Sequence, residues 1–257
     1  MDARSVQELL RLDGKIAVVS GASRNIGLEA ARAMAGVGAH VVMVARDAGR
    51  LAAVAADIAQ ATGAPVTPRA CDVSSEDDTA ALVAWLGAEF GQVDVLLNNA
   101  HSTGTRNAPV LGVTPEEWSA TLSTNLLGPY RLCAGLIPAM MDGRGGSVIN
   151  MISGAAFRPR GSVLAYGASK AALWSMTQYL AQFCAPKVRV NALVPGLVQS
   201  ESGGPAGDDL LPRYLPEIPL GRVGRPEEIA PAIVYLASDA SSYTTGSLMW
   251  VNGGRPS

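Results

Sequence analysis

Cysteine is scarce in this chain: three residues in 257, Cys71, Cys133 and Cys184, far apart and odd in number. They offer neither a disulfide framework nor the close spacing of a metal site, and a reducing cytoplasm suits them best. Histidine is scarcer still. With only His40 and His101, a histidine-rich metal centre or a Ser-His-Asp triad is hard to build. Charge is also thin, at 16% of residues, and 20 Lys+Arg stand against 22 Asp+Glu for a net −2. That balance leaves no basic face for nucleic acid or an anionic membrane. Long hydrophobic runs are missing too: nothing approaches the ~18 apolar residues of a membrane span. The N-terminus carries Asp2, Arg4, Glu8 and Arg11 where a signal peptide would have an apolar core. A soluble, cytoplasmic protein is expected, without nucleic-acid or membrane partners.

What is present is apolar material, 48% of the chain, enough for a large core. The length suits one α/β domain over 1–257. Short β-branched runs at 15–19, 40–44, 65–70, 93–97, 147–151, 188–193 and 248–251 alternate with Ala/Leu-rich helical patterns. The helices are expected after the first strand and at 49–61, 76–90, 115–141, 163–185 and 226–238. Such alternation predicts a doubly wound, Rossmann-type parallel sheet of seven strands with helices on both faces. The segment 199–219 is dense in Gly and Pro and reads as a substrate loop or lid.

After the first strand comes Ser20-Gly21-Ala22-Ser23-Arg24-Asn25-Ile26-Gly27, opening a helix. A glycine-rich turn at a helix N-terminus offers free N–H groups and a positive dipole end to a pyrophosphate, although any tight strand-to-helix turn also favours glycine. The second strand runs into Arg46 and Asp47. An acidic group at that strand end holds the adenosine 2′-hydroxyl, whereas arginine receives a 2′-phosphate. Arg24 and Arg46 converging there favour NADP(H) over NAD(H); Asp47 could serve a hydroxyl if the strand ends later.

Tyr166 and Lys170 are four residues apart and share one face of the 163–185 helix. A neighbouring cation favours the phenolate and turns a tyrosine into a usable proton carrier. Ser153 closes the fifth strand, where this sheet type puts its ligands. Asn98-Asn99-Ala100 closes the fourth strand, and Asn125 sits inside the next long helix, where asparagine needs partners or caps a kink.

In this combination and order the chain resembles the short-chain dehydrogenase/reductase family in its compact NADP(H)-dependent form, like ketoreductases of the 3-oxoacyl-carrier-protein type. The resemblance spans essentially the whole chain, through Asp72-Val73 and Pro195-Gly196 as well. It implies Tyr166 as general acid/base, with Lys170 easing its ionisation and binding the nicotinamide ribose. It implies Ser153 polarising the carbonyl and Asn125 holding a water of the proton path. By the same resemblance, Gly21, Ser23, Arg24, Asn25, Ile26 and Gly27 line the phosphates, and Asp72 and Val73 the adenine. Asn99 and Ala100 lie beside the adenosine ribose and pyrophosphate, and Pro195, Gly196, Val198 and Ser200 along the nicotinamide. Asn25 and His101 stand where the family has glycine. Asparagine tolerates left-handed backbone, and His101 either packs or lines the mouth of the site.

The implied reaction is hydride transfer between NADP(H) and a carbonyl/alcohol substrate. The rival is a non-catalytic dinucleotide-binding regulator or scaffold, which would have no need of Ser153; an epimerase or dehydratase is a third reading. The substrate stays open among a 3-oxoacyl thioester, a steroid-like or polyketide ketone and a sugar, with Arg158 and Arg160 placed to meet an anionic group or simply exposed. Lys170 is the only charge from Gly161 to Pro186, and Arg131 the only one from Trp118 to Met141. Helices so apolar predict a homo-oligomer through 115–141 and 163–185, and the resemblance suggests a tetramer.

Overall fold

A computed structural model describes residues 4–104, 109–159, 163–199 and 214–255. The elements run α1 (Val6–Leu9), β1 (Ile16–Ser20), α2 (Asn25–Gly36), β2 (His40–Ala45), α3 (Ala48–Thr62), β3 (Val66–Ala70), α4 (Glu76–Phe90) and β4 (Val95–Asn98). There follow α5 (Pro115–Leu122), α6 (Gly128–Asp142), β5 (Gly146–Met151), α7 (Leu164–Cys184), β6 (Val188–Pro195), α8 (Ala230–Ala237) and β7 (Leu248–Val251). The seven strands form one parallel sheet in the order β3-β2-β1-β4-β5-β6-β7. The expected architecture is therefore observed, and the order reverses between β1 and β4. At such a reversal the crossover helices diverge to opposite faces and leave a crevice at the carboxyl ends of the strands.

Period-two burial builds the two faces. Ala17 and Val19 of β1 point into a core shared with α2, α3 and α8, whereas Val18 points into the core beneath α4, α6 and α7. β3 is the exposed edge, and there Pro68 is tolerated because no further strand needs its missing N–H. Side-chain caps start the helices that the sequence punctuates: Asp47 accepts the Arg50 N–H on α3, Ser75 the Asp78 N–H on α4, and Thr114 the Glu117 N–H on α5. Gly38 lies just past the cap of α2 with φ of 103°.

One expected element is divided. The helix predicted over 115–141 is broken by a π-helical turn at Ser123–Leu127, so α5 and α6 are separate. A π-turn adds one residue to the helical circuit, and here it carries the buried Asn125 inward. Gly128 follows directly: a Cβ there would stand 2.6 Å from the Val73 carbonyl oxygen. The outer faces of α6 and α7 show Tyr130, Tyr179 and Phe183, 55%, 76% and 75% exposed.

Because backbone blocks the Gly128 site, Gly128→Ala is expected to cost about 1–3 kcal/mol. A lower urea midpoint at unchanged slope is the expected reading; an unchanged midpoint would show that the turn at Val73 yields without penalty.

Candidate active site

The first wall of the crevice is the turn after β1. Gly21 (φ 66°) and Asn25 (φ 50°) take left-handed backbone, as expected for the position where asparagine replaces glycine. Gly27 has a tighter reason to lack a side chain: its Cβ would lie 2.2 Å from the Gly21 carbonyl oxygen. Ser20 Oγ donates to the Leu97 carbonyl and accepts the N–H groups of Asn99 and Ala100 at 3.0 and 3.1 Å, which pins the ends of β1 and β4 together. Asn99 Nδ2 donates to the Ser20 and Gly21 carbonyls at 3.0 and 3.1 Å. Its amide is thus a brace of the turn, a task the sequence did not reveal.

Arg24 is the N-cap of α2 with extended backbone, and its side chain makes no capping hydrogen bond. A helix start without a side-chain cap, approached closely by glycine backbone, fits an anionic diphosphate. Ile26 is half-buried against the core beside it. Ser23 gives its carbonyl to Arg50 Nε at 2.9 Å, which places a third guanidinium at this corner. Sequence reasoning passed over Arg50, and its one signal was the spacing from the capping Asp47.

β2 ends at Ala45, and Asp47 caps α3 through one carboxylate oxygen, Oδ1. Arg46 is exposed and lies 3.9 Å from Asp72, so two expected cofactor contacts face each other. Burial pushes the Asp72 carboxyl upward, but the Ser74 hydroxyl and N–H and the Arg46 charge outweigh it and hold it below the usual range. Val73 is buried beside it.

The second wall is built by β5 and α7. Ser153 follows β5 and accepts the Ala155 N–H at 3.2 Å, starting a short 3-10 turn at Gly154–Ala156. Gly167 lets α7 close onto that turn, since a Cβ would come within 2.8 Å of the Ala155 carbonyl oxygen. Tyr166 and Lys170 sit on the first two turns of α7. Lys170 is 2% exposed, donates from Nζ to the Met151 carbonyl at 2.7 Å, and lies 6.0 Å from the centre of the Tyr166 ring. Burial alone pulls its pKa down to about 7.

Asn125, fully buried, accepts the Ser102 N–H at 2.7 Å and donates to the Ser102 carbonyl at 2.8 Å and to Ser169 Oγ at 2.9 Å. Ser169 in turn donates to the Tyr166 carbonyl at 2.7 Å. Asn125 therefore fastens the loop after β4 to the helix that bears the tyrosine. His101, one residue before Ser102, lies 6.3 Å from the Tyr166 ring, centre to centre.

Pro195 ends β6, and Gly196 donates to the Val251 carbonyl at 2.9 Å with Asn252 too close for a Cβ. Val198 is bridged to Gly224. Both line a cavity of about 220 Å³ with Leu220, Arg222 and Ile229. Arg158 is exposed. Ser200, Arg160 and most of the expected 199–219 loop lie outside the described residues.

A crevice at a strand-order reversal, a glycine-lined helix start and a tyrosine-lysine pair define a nicotinamide-dinucleotide oxidoreductase of the doubly wound class. Known proteins agree. The family model described as enoyl-(acyl carrier protein) reductase matches residues 21–255. A 3-oxoacyl-[acyl-carrier-protein] reductase of Chlamydia trachomatis is 37% identical over 246 residues, 95% of this chain and 98% of that protein. The structure of a short-chain type dehydrogenase/reductase from Mycobacterium marinum superposes with a TM-score of 0.91 at 36% identity, over 98% and 99% of the two chains. An L-sorbose reductase of Gluconobacter frateurii, solved with NADPH and L-sorbose, gives 0.90 at 31% identity over 96% and 98%. This chain belongs to the short-chain dehydrogenase/reductase family. It is an oxidoreductase that moves a hydride between nicotinamide and a carbonyl/alcohol substrate, and the regulator reading is not favoured. Among the described residues, no helix is long and apolar enough to cross a membrane.

The buried lysine makes a stability prediction. Its pKa of about 7 lies below the ordinary lysine value of 10.5, so the unfolded chain binds the extra proton between those limits. Stability should therefore rise with pH from about 7 toward 10, and the cost of burying the charge is fully present below pH 7. Lys170→Met is expected to gain about 1–3 kcal/mol at pH 6 while abolishing turnover. Thermal melts of both proteins at pH 6 and 9 check this; a variant that melts lower at both values would contradict it.

Proposed function

We propose that the chain is one domain over 1–257 that reduces a ketone in the cytoplasm, preferring NADPH to NADH, with Tyr166 as its general acid. The observation that carries the reading is the buried Lys170, tied to the end of β5 and 6.0 Å from the Tyr166 ring centre, on a helix packed against the turn that Ser153 opens. When bound, the nicotinamide supplies the hydride. Ser153 Oγ accepts a backbone N–H and so keeps its own hydrogen to donate to the substrate oxygen, where charge develops. Tyr166 passes its proton to the same oxygen. The Lys170 ammonium favours the phenolate that this leaves and binds the nicotinamide ribose. Asn125 retains a second lone pair on Oδ1 for a water that returns the proton.

For the cofactor, the turn from Gly21 through Ser23, Arg24, Asn25 and Ile26 to Gly27 takes the diphosphate, Asp72 and Val73 the adenine, and Asn99 and Ala100 the region between. Pro195, Gly196, Val198 and Ser200 take the nicotinamide. The NADP(H) preference draws support from Arg24, Arg46 and the adjacent Arg50, and from Asp47, which already caps α3. The relatives' names span an acyl-carrier-linked 3-oxo group and a sugar ketone. The apolar outer faces of α6 and α7 favour a homotetramer of this chain.

Tyr166→Phe should lower kcat about 10²- to 10⁴-fold with NADPH affinity retained; a loss under tenfold would remove the tyrosine from the chemistry. Arg46→Ala should reduce the ratio of NADPH to NADH turnover about 10- to 100-fold, since a charged hydrogen bond to phosphate is at stake. An unchanged ratio would reject the clamp. Light scattering at micromolar concentration should give four times the chain mass, and a monomer would refute the assembly.

A further inference from the structure

Beneath the site a row of polar side chains crosses the core, and the reaction as described gives it no task. Asn98 ends β4 directly opposite Asn150 of β5, and Thr177 lies on the buried seam of α7. Asn98, Asn150 and Thr177 are all fully buried. Asn98 Nδ2 donates to Asn150 Oδ1 at 2.8 Å, Asn150 Nδ2 donates to Thr177 Oγ1 at 2.9 Å, and Thr177 Oγ1 donates to the Leu173 carbonyl at 2.8 Å. The row therefore runs from β4 through β5 to the helix that bears Tyr166 and Lys170.

Stability alone does not call for such a row. The layer around it is apolar, with Leu132, Cys133 and Val148, and Asn98 Oδ1 is buried there without a hydrogen-bond partner. Apolar side chains of the same shape would hold the layers together at least as well. What a hydrogen bond adds is direction. The apolar part of the α7 seam is Leu173, Cys184 and the small Ala165 and Ala181, and contacts of that kind are non-directional, leaving a helix free to shift along its axis. Lys170 Nζ bonds the Met151 carbonyl, and seven residues further along the helix Thr177 takes the amide of Asn150, the preceding residue of the same strand. Seven residues are about two turns, roughly 10 Å. The lysine stem is long and its bond replaces little of its lost hydration, so the ammonium would swing to water if α7 moved. The contact between Asn150 and the stiff threonine side chain opposes that movement.

We infer that Asn150 and Thr177 are positioning residues for the reaction: their hydrogen bond fixes α7 in register on β5 and so sets Tyr166 and Lys170 against Ser153 and the substrate. The inference rests on the reading of Tyr166 as the general acid. It assigns a share of the rate to two side chains in the core, which act only through the helix they hold.

The first test uses the full-length protein and needs no substrate. Lys170→Met is expected to raise the melting temperature at pH 6. In a Thr177→Val background that rise should shrink by about half or more, because α7 released from Asn150 lets the ammonium reach water. An undiminished rise overturns the inference. The second test is turnover with NADPH on acetoacetyl-coenzyme A or L-sorbose, whichever the wild-type protein reduces faster. Thr177→Val should lower kcat about tenfold, since a small displacement of a reacting group is costly, and leave the NADPH dissociation constant within about threefold. Thr177→Ser keeps the hydroxyl and should keep kcat within about twofold. Ile58→Val, a core change on α3 that also lowers stability, should leave kcat unaltered. A kcat in Thr177→Val within about twofold of wild type, or a tenfold loss shared by Thr177→Ser or Ile58→Val, overturns the inference alone. Should Thr177→Val not fold, Thr177→Ala leaves room for a water on the freed amide and is judged by the same limits. Retained kcat in Tyr166→Phe would instead sink the general-acid reading beneath it.

Discussion

Holding the Lys170 ammonium between α7 and the end of β5 strips it of water, and the Met151 carbonyl replaces only one of the hydrogen bonds it gives up. Much else in the site serves that expense. Gly167 lets α7 approach the Ser153 turn closely enough for the lysine to reach β5. Asn125 and Ser169 keep the first turn of α7 in register with the loop after β4. The charge is unfavourable for the fold and useful beside a phenol, which is the usual trade between stability and activity at a catalytic centre.

The four segments that meet at the crevice are joined less by side-chain pairs than by side chains gripping backbone. Ser20 and Asn99 bind the ends of β1 and β4 to each other, Asn125 binds Ser102, and Arg50 binds Ser23. Backbone partners cannot rotate away, so these contacts set loop positions more firmly than surface ion pairs would. The Arg46–Asp72 pair is the contrary case, long and exposed.

The sheet, its strand sequence and the principal helices were legible because alternation and helical spacing are local signals, and each of the seven strands falls within a few residues of its expected place. Asn125 was legible only as an anomaly. Propensity separates helix from other states and not an α-turn from a π-turn, so the π-turn that accommodates it cannot be read from residue type. The left-handed backbone at Asn25 followed from residue type. The bracing role of Asn99, the part played by Arg50 and the nearness of His101 to Tyr166 depend on partners far away in sequence, which periodicity does not report. The exposed apolar faces of α6 and α7 were visible beforehand as a shortage of charge.

Helices α3, α4 and α5 each begin on an oxygen from their own sequence, but α2 begins on Arg24 with no side-chain oxygen of that kind. An anion bound at the first turn of α2 would complete it from outside the polypeptide. Free dinucleotide at a hundred times its dissociation constant would add roughly 2.7 kcal/mol to the folded state through mass action alone. The half-life of such a chain among proteases would follow the redox carriers that surround it: coenzyme supply would govern how long the protein survives as well as how fast it works.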